Sequence, residues 1–283
     1  MKSIKELYKI GRGPSSSHTM GPEKAAKIFR QQNPTADRFS VILYGSLAKT
    51  GKGHLTDRAI LEALAPIPTE VIFDVKRQNL PHPNTLTFFA YQQNKPISQM
   101  EVISIGGGAI SIMGQPELET PSIYPHNSFK EIAAYCQEKQ IRLSDYVEQW
   151  EGPEIWDYLS IIWKTMVRSI EQGLAADGML PGGLEVERKA KFLYAQKTPQ
   201  EREADKENRV VCAYAFAVSE QNADGGIIVT APTCGSCGVL PAALRYLQQQ
   251  KNFSEKQILK ALAVGGIIGN LIKTNASISG AEC

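Results

Sequence analysis

The sequence predicts an α+β N-terminal domain followed by a mostly α-helical domain. Short β-branched and aromatic segments are confined to residues 1–115, which is typical of strands. Longer segments with apolar residues at helical spacing follow, and proline and charged residues cluster in between, at 116–150. A chain of 283 residues is long enough for one large domain or two ordinary ones. We therefore predict two domains, residues 1–127 and 128–283.

The N-terminal domain is predicted to alternate helices and strands. One helix begins near Pro22, because proline is favoured at the first helical position, and a short one begins at Asp57. Strands are predicted from β-branched and aromatic runs at residues 39–46, 69–75, 85–91 and 100–108. The glycine run GGGAI at 106–110 follows the last of these strands and indicates a tight turn.

The C-terminal domain is predicted from helical patterns. The segment PEIWDYLSIIWKTMVRSIEQGLA has a helical apolar stripe and a glycine near its end; the stripe consists of Ile155, Leu159, Ile162, Met166 and Ile170. The small-residue segment VVCAYAFAVSEQ indicates a buried helix. Two more helices are predicted from LPAALRYLQQQ and SEKQILKALAVGGIIGNLI.

Composition and charge exclude several classes of function. Lys plus Arg number 31 and Asp plus Glu 29, so there is no basic excess for nucleic acid binding. The N-terminus MKSIKELYKI lacks the apolar core of a signal peptide, and the apolar stretch at 261–272 is too short to span a membrane. Five cysteines, an odd number, do not suggest a disulfide framework. We expect a cytoplasmic protein with reduced thiols and neither nucleic acid nor membrane as a partner.

The stretch GRGPSSSHTMGP, residues 11–22, reads as a loop of polar side chains ahead of a helix. Its hydrogen-bonding residues are Ser15, Ser16, Ser17, His18 and Thr19. The N-terminus of a helix offers unpaired N–H groups and a partial positive charge, which suit a carboxylate. The alternative is an elaborate N-cap, although one cap needs only one hydroxyl.

A second polar stretch, GSLAKTGKGHLTDRAI at 45–60, presents His54 before a helix. It fails as a nucleotide phosphate loop, because one residue too many separates Gly45 from Gly51 and Gly53 occupies the required Ser or Thr position. A histidine in this position could act as a general base. A solvent-exposed turn histidine is the alternative.

A third stretch, TAPTCGSCGVLPA at 230–242, contains the pair Cys234 and Cys237 before a helix near Pro241. We expect the helix N-terminus to acidify a thiol here and prepare it to bind a metal. A redox pair would follow a strand in a βαβ unit, and none is predicted. A zinc site needs two further ligands, and an iron–sulfur site needs more cysteines.

The C-terminal stretch KTNASISGAEC, residues 273–283, is small and polar and follows a glycine-rich helix. It reads as the middle of a functional site.

Together these stretches resemble the iron–sulfur L-serine dehydratases. GPSSSHTMGP, TGKGHLTD, TAPTCGSCGVLPA and NASISGAE occur in this order in that family. The sequence resembles the single-chain form, in which a smaller β domain precedes the catalytic α domain. The resemblance spans nearly the whole chain, and GPSSSHT and NASISGAE are its specific signals.

The resemblance implies a lyase that converts L-serine to pyruvate and ammonia with a 4Fe–4S cluster. Three cysteines would hold the cluster and leave one iron open as a Lewis acid. Cys237 matches a cluster ligand, whereas Cys234 stands where relatives carry Asn and is treated as a neighbour. The segment from Ser15 to Thr19 would bind the substrate carboxylate. His54 is the candidate base with His18 second, and Asn275 and Ser277 would line the pocket.

The resemblance also carries a departure. In the family, SGAE is followed by a glycine–cysteine pair and a further cysteine, whereas this chain ends at Cys283, which is not counted as a ligand. We therefore expect the chain to be truncated at its C-terminus, and by itself to assemble no intact cluster and to be inactive. The family also suggests a homodimer.

Other functions stay open. The substrate could be L-threonine or L-cysteine, because the sequence does not reveal the shape of the pocket. The chain could instead be a serine-binding regulatory protein without catalysis. A pyridoxal-phosphate enzyme is disfavoured, because no lysine stands in a setting typical of a Schiff base.

Overall fold

The computed structural model describes residues 1–116, 120–196 and 199–276. Its contacts group these residues into two compact units, each described by itself. The sheet unit contains residues 12–116, and the helical unit contains residues 1–11 together with the described residues from 120 onward. The predicted mixture of helices and strands, with the sheet in the N-terminal part, is confirmed. A domain boundary at residue 127 stays a prediction.

The strands and helices of the described residues are numbered in chain order. The strands are β1 (Ile10–Arg12), β2 (Arg38–Tyr44), β3 (Thr69–Asp74), β4 (Thr85–Gln92), β5 (Lys95–Gly106), β6 (Ala109–Ile112) and β7 (Ile227–Val229). The α-helices are α1 (Gly21–Gln32), α2 (Gly45–Thr50), α3 (Thr56–Leu64), α4 (Phe129–Lys139), α5 (Leu143–Glu151), α6 (Ile155–Ala175), α7 (Ala190–Ala195), α8 (Glu203–Ala223), α9 (Val239–Gln250) and α10 (Glu255–Asn275). None of these helices is both long and apolar enough to cross a membrane.

The sheet unit is built on a five-stranded sheet in the order β3-β2-β4-β5-β6. β2 and β3 are parallel, because α2 and α3 connect them, and the other neighbours are antiparallel. Side chains of β5 alternate toward the core, so Met100, Val102 and Ser104 share the buried face. On α3 the buried stripe begins at Thr56 and continues through Ala59 and Ile60. Two polar side chains thus occupy positions that apolar residues would normally take.

The helical unit has its own apolar core, built mainly from α6, α10 and the N-terminal segment, residues 1–8. The glycines of α10 admit the N-terminal segment, because a Cβ on Gly266 would lie 3.0 Å from Tyr8 Cε2 and one on Gly269 would lie 2.8 Å from Leu7 Cδ2. β1 and β7 form a two-stranded sheet. Residues 1–11 are therefore packed by contacts with helices distant in sequence.

Several predicted elements differ from the structure. The strand predicted at 39–46 ends at Tyr44, because Gly45 adopts a left-handed backbone (φ +50°) and begins α2. The GGGAI run does make a tight turn, but β6 follows it and pairs with β5. The sequence prediction also missed α4, α5, α7 and β7, which are short or lack a long apolar stripe.

Candidate active site

The stretch predicted to be a polar loop is a π-helical turn, Ser16–Met20, that runs directly into α1. The prediction of a loop was wrong. The turn is π-helical because the N–H groups of Met20 and Gly21 donate to the carbonyls of Ser15 and Ser16, five residues back. Its hydroxyl residues therefore lie within the first helical turn rather than ahead of it. Proline has no backbone N–H, so Pro22 cannot donate to the His18 carbonyl, as the residue at this point of a regular α-helix would.

Hydroxyl groups from elsewhere in the sheet unit donate to two carbonyls of the turn, and one of these, the His18 carbonyl, would accept from residue 22 in a regular α-helix. Thr56 Oγ1 donates to the His18 carbonyl at 2.6 Å, and Ser104 Oγ donates to the Ser17 carbonyl at 2.6 Å. Both side chains are fully buried. The two polar side chains on the core-facing stripes of α3 and β5 therefore support the turn.

The start of the turn retains open hydrogen-bond donors. Ser15 caps it, because its Oγ accepts from the His18 N–H at 3.1 Å. Within the described residues, the backbone N–H groups of Ser16 and Ser17 have no hydrogen-bond partner. Two adjacent N–H groups at a helix N-terminus, flanked by serine hydroxyls, match the acceptor oxygens of a carboxylate.

His18 is held between two hydroxyls and is neutral. Its Nδ1 lies 2.9 Å from Ser17 Oγ, and its Nε2 lies 2.9 Å from Ser46 Oγ. Burial, together with the proximity of His54, lowers the pKa of His18 to about 4. At neutral pH this imidazole therefore carries no charge and has both nitrogens hydrogen-bonded.

His54 lies beside His18, with ring centroids 4.7 Å apart. Its Nδ1 is 3.0 Å from the carbonyl of Thr50. A carbonyl can only accept, so Nδ1 carries a proton, and in the neutral ring the lone pair is on Nε2. Within the described residues, Nε2 has no hydrogen-bond partner, and the side chain is half-buried. Of the two predicted base candidates, His54 is the one with an available basic nitrogen.

The Cys-x-x-Cys stretch forms a turn in the helical unit, between β7 and α9. The N–H of Cys237 donates to the Cys234 carbonyl at 3.1 Å, and Ser236 Oγ donates to the Ala231 carbonyl at 2.7 Å. Both thiols are buried and neither forms a disulfide. The sequence prediction missed β7, the strand ahead of the turn. Among the described strands, β7 pairs only with β1.

The prediction of an acidified thiol was wrong. Burial raises the pKa of Cys237 to about 12, and a hydrogen bond from its own backbone N–H only partly opposes that effect. That Cys237 binds a metal stays a prediction, which requires the buried thiol to exchange its proton for the metal. A cluster held by three cysteines needs more, and the described part of the chain brings no three His, Cys, Asp or Glu side chains together as a metal site.

Two predicted residues belong to the C-terminal stretch. Asn275 ends α10, where its Nδ2 donates to the Leu271 carbonyl at 2.8 Å and to the Asn127 carbonyl at 3.2 Å. Ser277 and Cys283 lie outside the described residues. The structure thus brings the segment from Ser15 to Thr19 together with His54 in the sheet unit, while Cys237 and Asn275 lie in the helical unit.

Comparison with known proteins assigns the family. A model of the serine dehydratase alpha chain matches residues 86–283, and a model of the serine dehydratase beta chain matches residues 3–69. The chain belongs to the L-serine dehydratase family. The resemblance on which the sequence prediction relied is therefore confirmed over both parts of the chain.

Curated relatives cover the whole chain. It is 35% identical to L-serine dehydratase 1 and 36% identical to L-serine dehydratase 2 of Escherichia coli (strain K12), and 35% identical to the L-serine dehydratase of Haemophilus influenzae. Each alignment includes 100% of this chain and 74% of the relative. The alignment with L-serine dehydratase 1 extends over 336 positions, so internal segments of that relative have no counterpart among these 283 residues.

Sequence reasoning missed three residues of the site: Ser46, Thr56 and Ser104. A signal existed for two of them, because Thr56 and Ser104 are polar residues that continue an apolar stripe. Ser46 carried no such signal, since only the fold brings its hydroxyl to His18.

Proposed function

We propose that this chain, when it holds a complete cluster, catalyses the deamination of L-serine to pyruvate and ammonia by β-elimination of water. The observation that carries the proposal is the hydrogen bond from His54 Nδ1 to the Thr50 carbonyl, which leaves Nε2 of the neutral ring as a base beside a turn with open N–H donors. The names of the relatives, all L-serine dehydratases, support the choice of substrate.

In this proposal the turn grips the carboxylate of serine. The N–H groups of Ser16 and Ser17 would donate to its oxygens, and the hydroxyls of Ser15 to Ser17 would contribute further donors. A neutral His18 supports this role. Its ring is hydrogen-bonded to Ser46 Oγ at 2.9 Å and to Ser17 Oγ at 2.9 Å, so it holds the Ser17 hydroxyl in a fixed orientation. The carboxylate fixes the substrate so that Cα faces a defined side of the turn.

His54 Nε2 would then remove the α-proton. The electron pair of the Cα–H bond forms the Cα–Cβ double bond, and the Cβ–O bond breaks. The departing hydroxide takes up the proton that the base removed and leaves as water. The aminoacrylate product tautomerises to an imine, and water hydrolyses the imine to pyruvate and ammonia. The Thr50 carbonyl accepts a hydrogen bond from Nδ1 of His54, so it stabilises the positive charge of the imidazolium formed in this step.

Hydroxide is a poor leaving group, and we propose that a 4Fe–4S cluster supplies the Lewis acidity that helps it depart. Cys237 is the described residue that would bind this cluster, and its remaining ligands would come from outside the described residues. Cys234 would be a neighbour, as the family pattern indicates.

Serine binding and serine turnover test the proposal separately. Calorimetry should show that the full chain binds L-serine but not L-serinamide, which lacks the carboxylate. After anaerobic supply of iron and sulfide, pyruvate formation per bound cluster should fall by about 10²- to 10⁴-fold in His54→Gln, the range expected for loss of a general base. Serine binding should persist in that variant.

Two results would contradict the proposal. Failure of the chain to bind L-serine would remove the carboxylate site. Binding of serine by a fully cluster-loaded chain that forms no pyruvate would identify a serine-binding protein instead. Faster turnover of L-threonine or L-cysteine than of L-serine would keep the lyase and change the substrate.

A further inference from the structure

We propose that Thr19 and Thr56 are positioning residues whose hydroxyls hold the base segment, residues 54–56, against the carboxylate-binding segment, residues 15–19. The inference rests on the proposed function, because it assigns to these segments the base and the carboxylate site. The sequence analysis assigned Thr19 to contact with the substrate. The inference assigns it instead to holding the backbone of His54 in place.

The two hydrogen bonds are reciprocal. Thr19, in the carboxylate segment, donates its hydroxyl proton to the backbone carbonyl of His54 at 2.7 Å. Thr56, in the base segment, donates to the backbone carbonyl of His18 at 2.6 Å. Each segment therefore holds the histidine of the other, and both threonines are fully buried.

The Thr56 hydrogen bond is required because Pro22 cannot make it. The His18 carbonyl would be paired with the N–H of residue 22 in a regular α-helix, and proline has none. A buried carbonyl without a donor is costly, so the Thr56 hydroxyl substitutes for the missing N–H. The helical start of one segment is thereby completed by a side chain of the other.

The Thr19 hydroxyl makes two hydrogen bonds within the protein, which is why it is assigned to support and not to substrate binding. It donates to the His54 carbonyl and accepts from the Ser15 N–H at 3.3 Å. The segment it holds contains Leu55, whose left-handed backbone (φ +54°) is unfavourable for a residue with a branched side chain. The Thr19 and Thr56 hydrogen bonds, here called the two clamps, thus hold a strained turn in the conformation that places the centroid of the His54 ring 4.7 Å from that of His18.

Removing either hydroxyl should displace the base relative to the substrate. A displacement of about 1 Å can reduce the rate about 100-fold. Thr19→Val and Thr56→Val keep the shape of the side chain and lose the donor, so we expect kcat to fall 10- to 100-fold. Thr19→Ser and Thr56→Ser keep the donor and should recover most of the rate.

Thr85→Val is the matched control. Thr85 is also fully buried in the sheet unit and also donates to the carbonyl of a histidine, His82, at 2.6 Å. It has no contact with either segment of the site among its hydrogen bonds. This variant should lose about as much stability as Thr56→Val while kcat stays within twofold of the wild type.

A second measurement does not depend on turnover. In protein labelled at histidine, the nuclear Overhauser effect between the rings of His18 and His54 reports their proximity. We expect it to weaken in both clamp valine variants and to be retained in the serine variants and in Thr85→Val.

The positioning role would be overturned if both clamp valine variants kept the ring contact, whatever their rates. It would also be overturned if Thr85→Val lost kcat and ring contact to the same extent. If wild-type protein loaded with cluster forms no pyruvate from serine, the proposed function fails, but the ring contact still decides whether the threonines lock the two histidines.

Discussion

The hydroxyl-rich turn at residues 15–20 and the thiol turn at residues 233–238 look alike in sequence and differ in structure. Both are short polar stretches between glycine and proline, and both lead into a helix. At the first turn, side chains from α3 and β5 reach in to satisfy carbonyls, and backbone N–H groups stay open. At the second, the hydroxyls and amides bond among themselves, and both thiols are buried.

The difference shows that a helix N-terminus does not by itself decide the chemistry of a site. The helix N-terminus favours the charged thiolate of Cys237, but burial of the thiol disfavours it more strongly. The pKa of Cys237 therefore rises to about 12. Near Ser16 the burial is similar, but the groups are neutral donors that do not need to ionise. A neutral donor keeps its proton when it binds an anion, whereas a thiol must exchange its proton for a metal.

The largest expected effect separates the two cysteines of the thiol turn. Both are buried to a similar degree, so Cys237→Ala and Cys234→Ala should cost similar stability. Only Cys237→Ala should reduce the iron and sulfide bound per chain after anaerobic reconstitution, and it should abolish any pyruvate formation. Equal loss of iron in both variants would contradict the assignment of Cys237 as the ligand.

A smaller effect concerns the backbone of the same turn. A Cβ on Gly238 would lie 2.7 Å from Ser219 Oγ and 2.8 Å from the Ala215 carbonyl oxygen. This carbonyl belongs to the backbone of α8 and cannot shift without distorting the helix. Gly238→Ala should lower the free energy of unfolding by about 2–3 kcal/mol in urea titrations. Gly235→Ala is the control, because its nearest neighbour would be Thr233 Oγ1 at 3.9 Å. Equal losses in the two variants would refute the steric explanation.

The smallest effect is a pH dependence in the hydroxyl turn. The folded-state pKa of His18 is about 4, below the ordinary value of 6.5, so the unfolded chain binds its proton more readily. The contribution to stability is complete above pH 6.5 and is lost as the pH falls toward 4. One pKa unit corresponds to about 1.4 kcal/mol, and screening of a partly exposed ring reduces the total, so we expect a loss of about 1–2 kcal/mol.

Urea titrations between pH 7.5 and pH 4 measure this loss, with His18→Asn as the comparison. The variant should show a shallower dependence on pH over that interval. An identical slope in the two proteins would show that His18 does not titrate as described.

Much of the fold was predictable because it depends on local patterns. The apolar stripe of α6 and the β-branched runs of β2, β3 and β4 were identified within a few residues of their ends. The π-helical turn was not, because two of its carbonyls are satisfied by Thr56 and Ser104, which lie far from it in sequence. Ser46 was invisible for the same reason, since its partner His18 is distant in sequence.

By itself the sequence determined the family and the candidate chemistry, because four short motifs that carry hydroxyls, imidazoles and thiols occur in the order known from the L-serine dehydratases. It also predicted which histidines and which segment to examine. Only the tertiary structure decided that His54 presents an open nitrogen, that His18 is neutral and that Thr19 faces a carbonyl rather than a ligand. Protonation and hydrogen bonding depend on burial and on partners brought from other elements, and neither is encoded in the local pattern of residues.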